Sequence, residues 1–362
     1  MAESFEVQFA SGARTLCVIG PGVLASLPEL AGSVGLRGPP VLVCDQRVLE
    51  LHGPFAFGEP IARAVSEEHK LLAEVEAICA ALARRKLSRD GFITAVGGGV
   101  LTDLAGFAAA LYLRGIPWIS APTTLLAQVD AGLGGKTGAN LGAGKNLVGA
   151  FHQPRLVVAD TALLATLPAR ERWSGLAEVV KCALLAPAQD AGGVPLLERC
   201  ERGLHRAASG DPAELAALVA ACLRVKAALV AADEREGGAR ASLNLGHTIG
   251  HALEAATGYT RFTHGEAVAL GLRAAIDFSL RRGLLTAPDA ARAQALVAQL
   301  QIAPDRALSG PERSAALAAV QHDKKVRAGQ VRFVLLRGLG NYALQEVSAD
   351  ETAAALEAAL GG

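Results

Sequence analysis

The sequence predicts an α/β fold in two parts, a Rossmann-like nucleotide-binding domain over residues 1–165 and a mainly α-helical domain over 166–362. Three observations predict it. Short apolar runs that read as strands alternate with helical patterns as far as Asp160. Glycine-rich turns follow directly on some of those strands, where a backbone can meet a phosphate. Beyond Pro168 the strand texture stops, and Ala- and Leu-rich helical patterns run nearly to the end. A chain of 362 residues is long enough for two such domains, each with its own core.

The elements of the first half can be justified in order. Glu6 to Phe9 and Arg14 to Ile19 read as short strands around a Ser11-Gly12 turn. Val41 to Cys44 is an apolar strand ending in Asp45, where an acidic residue either takes the ribose hydroxyls of a dinucleotide or caps the next helix. Glu67 to Arg85 predicts one amphipathic helix with Leu71, Leu72, Val75, Ile78 and Leu82 on one side. Phe92 to Val96 is a buried strand that runs into Gly97, Gly98 and Gly99, then into a helix through Leu111 with Asp103 in its first turn. Strand, glycine turn and helix bring N–H groups to an anion. The triplet is not the Gly-x-Gly-x-x-Gly fingerprint, and by itself it says little. Trp118 to Ala121 is a further strand, closed by Pro122, Thr123 and Thr124, whose hydroxyls face the same crevice. Asp130, Lys136, Lys145 and Asn146 then fall in a Gly-rich stretch from Gly132 to Gly149, which reads as a loop that approaches a ligand, or else as a surface loop. Arg155 to Ala159 ends the series at Asp160.

In the second half the chemistry gathers at Asn244 to Glu254 and at His264-Gly265-Glu266. Helical spacing puts His247 and His251 on one face. A lone His-x-x-x-His is more often plain helix surface. The third histidine, His264, together with Glu178 and Lys181 upstream, turns the reading toward a metal. Glu178, His247 and His264 make a set of two histidines and one carboxylate, the count of a catalytic zinc-type ion with an open position. Such an ion binds vicinal oxygens and lowers the pKa of a hydroxyl. Of Arg114, Lys136, Lys145, Lys181, Lys226, Arg240, Lys324 and Lys325, each singly reads as a solvated surface charge, but several are set within these motifs rather than on plain helix faces. So many cations imply a polyanionic substrate bearing phosphate or carboxylate. The active site is expected in the cleft between the domains. Strand-like pieces return at Val331 to Leu336 and Tyr342 to Leu344.

Composition excludes several classes. The 35 Lys and Arg balance the 35 Asp and Glu, so nothing favours nucleic acid or an anionic membrane. The six cysteines form no Cys-x-x-Cys pair, which argues against a thiolate zinc site or a disulfide framework and fits a reducing compartment. No basic region followed by an apolar run opens the chain, so a cytoplasmic location is expected. The longest apolar stretch, Leu215 to Ala232, contains Arg224 and Lys226 and reads as a packed helix rather than a membrane span.

Taken in order, the motifs resemble the 3-dehydroquinate synthase family over nearly the whole chain. The matching stretches are Gly97 to Phe107, Tyr112 to Gly115, Pro122 to Asp130, Gly134 to Gly138, Gly144 to Leu147 and Gly175 to Lys181. Asp233 to Glu236, Asn244 to Glu254, His264 to Glu266 and Asp323 to Lys325 complete them. Departures are few: Ser66 replaces a usual Gly, Ala131-Gly132 a common Ser-Ser, and Cys182 an aromatic or His.

The resemblance implies conversion of 3-deoxy-D-arabino-heptulosonate 7-phosphate to 3-dehydroquinate and phosphate, on the shikimate route. NAD and a divalent metal, zinc or cobalt, would be the cofactors. By the same resemblance the C5 hydroxyl would be oxidised, phosphate would leave, the hydride would return and the ring would close, which would make the enzyme a lyase. The first domain is then the NAD-binding one and the second the metal- and substrate-binding one. The ligands implied are Glu178, His247 and His264, with His251 among the substrate residues instead. Substrate would meet Asp130, Lys136, Asn146, Lys181, Lys226, Arg240, Asn244, His251 and one of Lys324 and Lys325. Of these, Asp130, Lys136, Asn146, Lys181, Lys226 and His251 would take part in catalysis. Arg114 would reach the substrate of the partner subunit in a homodimer. NAD would meet Asp45, Glu67, Lys70, Gly98, Gly99, Asp103, Thr123, Thr124 and Lys145.

Three alternatives remain at this point. A sister sugar-phosphate cyclase would act on sedoheptulose 7-phosphate or glucose 6-phosphate, but Arg114, Asn146, Arg240 and His251 stand as in the 3-dehydroquinate synthases the chain resembles, which favours a carboxylate-bearing substrate. A metal-dependent NAD alcohol dehydrogenase has little use for so many cations. A non-catalytic relative has little use for an intact ligand set.

Overall fold

The computed structural model of the chain describes residues 2–142, 144–187, 194–302, 307–321 and 331–360. The chain begins with β1 (Glu3–Gln8), β2 (Arg14–Gly20), α1 (Leu27–Ser33), β3 (Pro40–Asp45), α2 (Gln46–His52), β4 (Ile61–Arg63) and α3 (Leu72–Arg84). There follow β5 (Phe92–Gly97), α4 (Gly99–Leu111), β6 (Trp118–Pro122), β7 (Lys136–Leu141), β8 (Gly144–Phe151) and β9 (Leu156–Asp160). The later part holds α5 (Ala169–Leu185), α6 (Leu196–Ala208), α7 (Pro212–Ala232), α8 (His247–Ala256), α9 (His264–Arg281), α10 (Ala287–Ala298) and α11 (Gly310–Gln321). It ends with β10 (Val331–Leu336), β11 (Tyr342–Val347) and α12 (Ala349–Leu360).

Two compact units result: Met1–Pro168 with Gly210–Gly237, and Ala169–Ser209 with Gly238–Gly362. The chain first passes from one unit to the other after Pro168, and α7 belongs to the first unit. The reason is its surface. α7 is apolar on most of its circumference and packs on β1, β2 and the turns at Ala127–Ala131 and Thr161–Thr166. It is long and apolar enough to cross a membrane by composition alone, yet Leu218, Val219, Cys222, Leu223 and Val230 are buried against these neighbours.

The first unit is built on a seven-stranded sheet in the order β1-β2-β9-β6-β5-β3-β4. Only β1 runs antiparallel, paired with β2 from Glu3↔Ile19 to Gln8↔Arg14; β2, β9, β6, β5, β3 and β4 are parallel. The central strands are apolar on both sides because both faces are covered. Val43, Ile93 and Ala95 pack with Val75, Ile78, Leu82, Leu104 and Phe107 of α3 and α4. On the other face Leu42, Cys44, Phe92, Val96 and Ile119 pack with Leu24, Leu27 and Ala31 around α1.

Two expected elements come out differently. The single helix expected over Glu67 to Arg85 breaks at Lys70, whose backbone leaves helical geometry (φ −72°, ψ 57°) and accepts a hydrogen bond from the N–H of Asn140. Leu71, the N-cap, and Leu72, the first residue of α3, are exposed, whereas Val75, Ile78 and Leu82 are buried. The Gly-rich stretch is no loop but the antiparallel pair β7–β8, with Gly138 opposite Gly149. A Cβ on Gly149 would lie 2.2 Å from the Thr137 carbonyl oxygen, so only glycine permits this approach.

The second unit packs its helices around α9, which meets α5, α8, α10, α12 and β10. β10 and β11 form an antiparallel pair. Glycines set the closest approaches. A Cβ on Gly265 would fall 2.0 Å from the Ser174 carbonyl oxygen on α5, and one on Gly271 1.9 Å from that of Gly246 at the head of α8.

All six cysteines are free, and only Cys79 is partly exposed. Burial pushes the thiols of Cys17 and Cys44 up to about 12. A thiol reagent at neutral pH is thus expected to titrate at most Cys79 promptly in the folded chain, and all six after denaturation. Prompt reaction of all six in the folded chain would contradict this packing.

Candidate functional site

In the first unit the candidate groups collect at the carboxyl ends of β3, β5 and β6. Register pairs Cys44 with Val96 and Gly97 with Pro122, so Asp45, Gly98 and Thr123 follow neighbouring strand ends. A Cβ on Gly97 would lie 3.2 Å from Asp45 Cβ, one on Gly98 3.2 Å from Thr124 Cγ2, and one on Gly99 3.3 Å from Ala131 Cβ. Gly98 is the N-cap of α4 and has no side chain of its own to cap that end. Bare glycine backbone at a helix N-terminus suits a dinucleotide pyrophosphate, so these residues fit NAD. Asp45 takes the capping role that the sequence had left open: its Oδ1 accepts from the N–H groups of Arg47 (2.9 Å) and Val48 (3.2 Å).

Beside this cradle lies a polar cluster. Lys70 is buried, and its Nζ donates to Asp103 Oδ2 and Asn146 Oδ1, each at 2.6 Å. Asp103 is not in the first turn of α4, as expected, because the helix starts at Gly99 and leaves it in the second. Burial raises its carboxyl above the ordinary range, against the lowering charge of Lys70. Asn140 ties the cluster together: its Nδ2 donates to Glu67 Oε1 (2.9 Å), and its Oδ1 accepts from the N–H of Asn146 (2.9 Å). Asn146 itself sits at φ +52°, which Asn tolerates. Lys145 Nζ is 3.4 Å from Glu67 Oε1. Elsewhere in this unit Lys136 pairs with Glu236 at 2.6 Å, and Lys226 on α7 contacts both the carboxylate and the carbonyl of Asp130. Arg114 is exposed in the turn Tyr112–Arg114 at φ +66°.

In the second unit α5 presents Glu178 and Lys181 one turn apart, in contact with each other, with side chains 0% and 1% exposed. α8 begins at His247, after Gly246 in the left-handed region. α9 begins at His264, held by a capping box in which Thr263 and Glu266 bond reciprocally. His247 Nε2 stands 3.6 Å and His264 Nε2 3.4 Å from Glu178 Oε1. His247 Nδ1 donates to the Leu245 carbonyl at 3.1 Å, and His264 Nδ1 lies 3.3 Å from Glu254 Oε2. Ligand atoms of Glu178, His247 and His264 all lie within 4.8 Å of one another, and so do those of His251, Glu254 and His264. One buried carboxylate met by two imidazole Nε2 atoms is a donor set that fits zinc or cobalt.

Electrostatics follow from this crowding. Burial, then the charges of Lys181, His251 and His264, hold His247 well below the ordinary histidine value. For His264, burial acts downward, but hydrogen bonds to Glu178 and Glu254 prevail and raise it to about 10.

The remaining expected residues are distributed as follows. His251 shares its helix face with His247 at a ring separation of 5.1 Å, as the spacing predicts, and is exposed. Arg240 is buried and Asn244 half-buried in the turn Ala239–Asn244, before the regular helix and not within it. Lys324 and Lys325 lie outside the described residues. Sequence reasoning passed over Asn140, Glu254 and the Arg170–Glu266 pair. Arg170 holds both oxygens of Glu266, at 3.0 and 2.7 Å, and so joins the starts of α5 and α9. The Thr-x-x-Glu pattern at 263–266, ahead of an apolar run, was a readable signal for that helix start.

Comparison with known proteins agrees with this picture. The family model for the 3-dehydroquinate synthase N-terminal region matches residues 61–174, and that for its C-terminal region matches 175–326. The chain is 46% identical over 358 residues to a 3-dehydroquinate synthase of Rhodospirillum rubrum, covering 94% of this chain and 91% of that one. Its fold is similar to 2-deoxy-scyllo-inosose synthase solved with carbaglucose-6-phosphate, NAD+ and Co2+, at TM-score 0.87, 27% identity, and coverage of 99% and 100%. It is also similar to 2-epi-5-epi-valiolone synthase of Streptomyces hygroscopicus with NAD+ and Zn2+, at TM-score 0.80, 28% identity, and coverage of 95% and 96%. Two family regions matched in order, and high identity sustained over nearly the whole length, are more than a shared fold; this chain belongs to the 3-dehydroquinate synthase family.

Proposed function

We propose that this chain is a 3-dehydroquinate synthase, a phosphate-eliminating lyase of aromatic amino acid biosynthesis that uses NAD and a divalent metal. It converts 3-deoxy-D-arabino-heptulosonate 7-phosphate to 3-dehydroquinate and phosphate. The observation that carries the reading is the convergence of His247 and His264 on buried Glu178, beside Lys181, in a chain of this family.

Glu178, His247 and His264 hold the zinc or cobalt. Asp45, Glu67, Lys70, Gly98, Gly99, Asp103, Thr123, Thr124 and Lys145 hold NAD. When bound, the metal supplies Lewis acidity and NAD a reversible hydride acceptor. Lys181 contacts the ligand carboxylate, and a positive charge there would favour loss of a proton from the substrate hydroxyl. Lys136 and Lys226 hold carboxylates, Glu236 and Asp130, at positions that a substrate phosphate or carboxylate can take over. Asn146, Arg240, Asn244 and His251 orient the substrate, and fixing a flexible sugar acid before elimination and ring closure lowers the entropic barrier. Arg114 serves the partner subunit of a homodimer: exposed Leu111 and Leu113 beside it support such an interface. Sedimentation should then give a dimer mass; a monomer mass at assay concentration would remove that role.

A sister cyclase is the second reading, favoured by the two solved relatives. They are 27% and 28% identical to this chain, against 46% for the Rhodospirillum enzyme. The substrates decide. With NAD and cobalt, 3-deoxy-D-arabino-heptulosonate 7-phosphate is expected to give a product that a dehydroquinate dehydratase consumes. Turnover of sedoheptulose 7-phosphate or glucose 6-phosphate in its place would overturn the synthase reading.

A further inference from the structure

We infer that Glu254 is a positioning residue of the metal centre, fixing His264 in the tautomer whose Nε2 faces Glu178. This rests on the reading that Glu178, His247 and His264 hold the ion. His247, His251 and Glu254 follow one another at spacings of four and three on α8, so they share one face of that helix. The carboxylate of Glu254, with its side chain only 7% exposed, brings Oε2 to 3.3 Å from His264 Nδ1. On the other side of the same ring, Nε2 is 3.4 Å from Glu178 Oε1.

A neutral imidazole carries one N–H, and a metal needs the bare nitrogen. A carboxylate at Nδ1 keeps the proton there, leaves Nε2 to the ion, and makes the ring a stronger donor. His247 meets the same need with a neutral acceptor, the Leu245 carbonyl at 3.1 Å from its Nδ1. The two ligands thus differ: one is oriented by backbone, the other by a charge that burial leaves weakly screened. The competing role for Glu254 is to be a ligand itself, since His251, Glu254 and His264 also cluster within 4.8 Å. That would put the ion on the side of His264 Nδ1, the nitrogen that lies 3.3 Å from Glu254 Oε2 and carries the proton donated to it. The Glu178 arrangement uses both Nε2 atoms and leaves both Nδ1 atoms bonded to acceptors.

The test is cobalt binding to the metal-free full chain, followed by visible absorption and by competition with a chromophoric chelator. E254Q keeps an acceptor without charge, and its cobalt Kd is expected to rise about 10–100-fold. E254D is expected to lie nearer the unaltered chain, with circular dichroism unchanged in both. A folded E254Q with a Kd within about twofold of the unaltered chain would overturn the inference. So would cobalt loss in E254Q that E178Q does not share, because the ion would then sit on Glu254. If E254Q does not fold, long-range 1H–15N histidine spectra of the zinc-loaded chain decide, with Nδ1–H at His264 expected and Nε2–H overturning it. None of these readouts uses substrate or NAD, so failure of the synthase reading would appear separately, as absent phosphate release.

Discussion

Glu178→Gln is expected to abolish measurable turnover and to strip the metal from the purified chain. Glutamine keeps the volume but offers a neutral oxygen, and the charge that both Nε2 atoms face is gone. Loss of Lewis-acid stabilisation worth several kcal/mol corresponds to roughly 10³-fold or more in kcat/KM. The same change takes the carboxylate from beside Lys181, and breaking a buried pair costs about 3–5 kcal/mol. Melting and circular dichroism must therefore accompany the assay, with metal content read by emission spectrometry. A folded E178Q that retains metal and near-normal activity would remove Glu178 from the ligand set.

Gly271→Ala is expected to be strongly destabilising in the second unit. The added Cβ would lie 1.9 Å from the Gly246 carbonyl oxygen and 2.8 Å from its carbon, both backbone atoms that cannot rotate away. α9 would have to move off the head of α8, at a cost of about 3 kcal/mol or more. Because His247 and His264 begin these two helices, metal affinity should fall with stability. Gly250→Ala is the internal comparison. Its Cβ would be 3.2 Å from the Ala267 carbonyl oxygen, a milder crowding, so its melting temperature should drop much less. Equal melting temperatures for the two variants would contradict the packing described for α8 and α9.

The sequence was most legible where periodicity and local chemistry agree. The strands at Val41, Phe92 and Trp118 were apolar runs bounded by turn residues, and their neighbouring ends follow from parallel pairing. His247 and His264 were visible as a motif, but spacing alone joined His247 to His251. Only tertiary packing brings Glu178 between His247 and His264, because Glu178 lies on a separate helix. Lys70 shows the same limit: a helical pattern ran through it, yet its bonds to Asp103 and Asn146 accompany a break in that pattern. The stretch after Gly132 read as loop because glycine is a turn signal, whereas here glycine lets two strands pair closely. Helix α7 was recognised as packed, but apolar residues all round a helix do not say which core receives them.

The most direct measurement is phosphate release from 3-deoxy-D-arabino-heptulosonate 7-phosphate by the cobalt-loaded chain, with NAD far below substrate and absorbance followed at the NADH band. Many phosphates released per NAD, with no NADH accumulating, is the expected result, because the hydride returns before product leaves. Stoichiometric NADH formation, or no phosphate from a folded and metal-loaded chain, would contradict it.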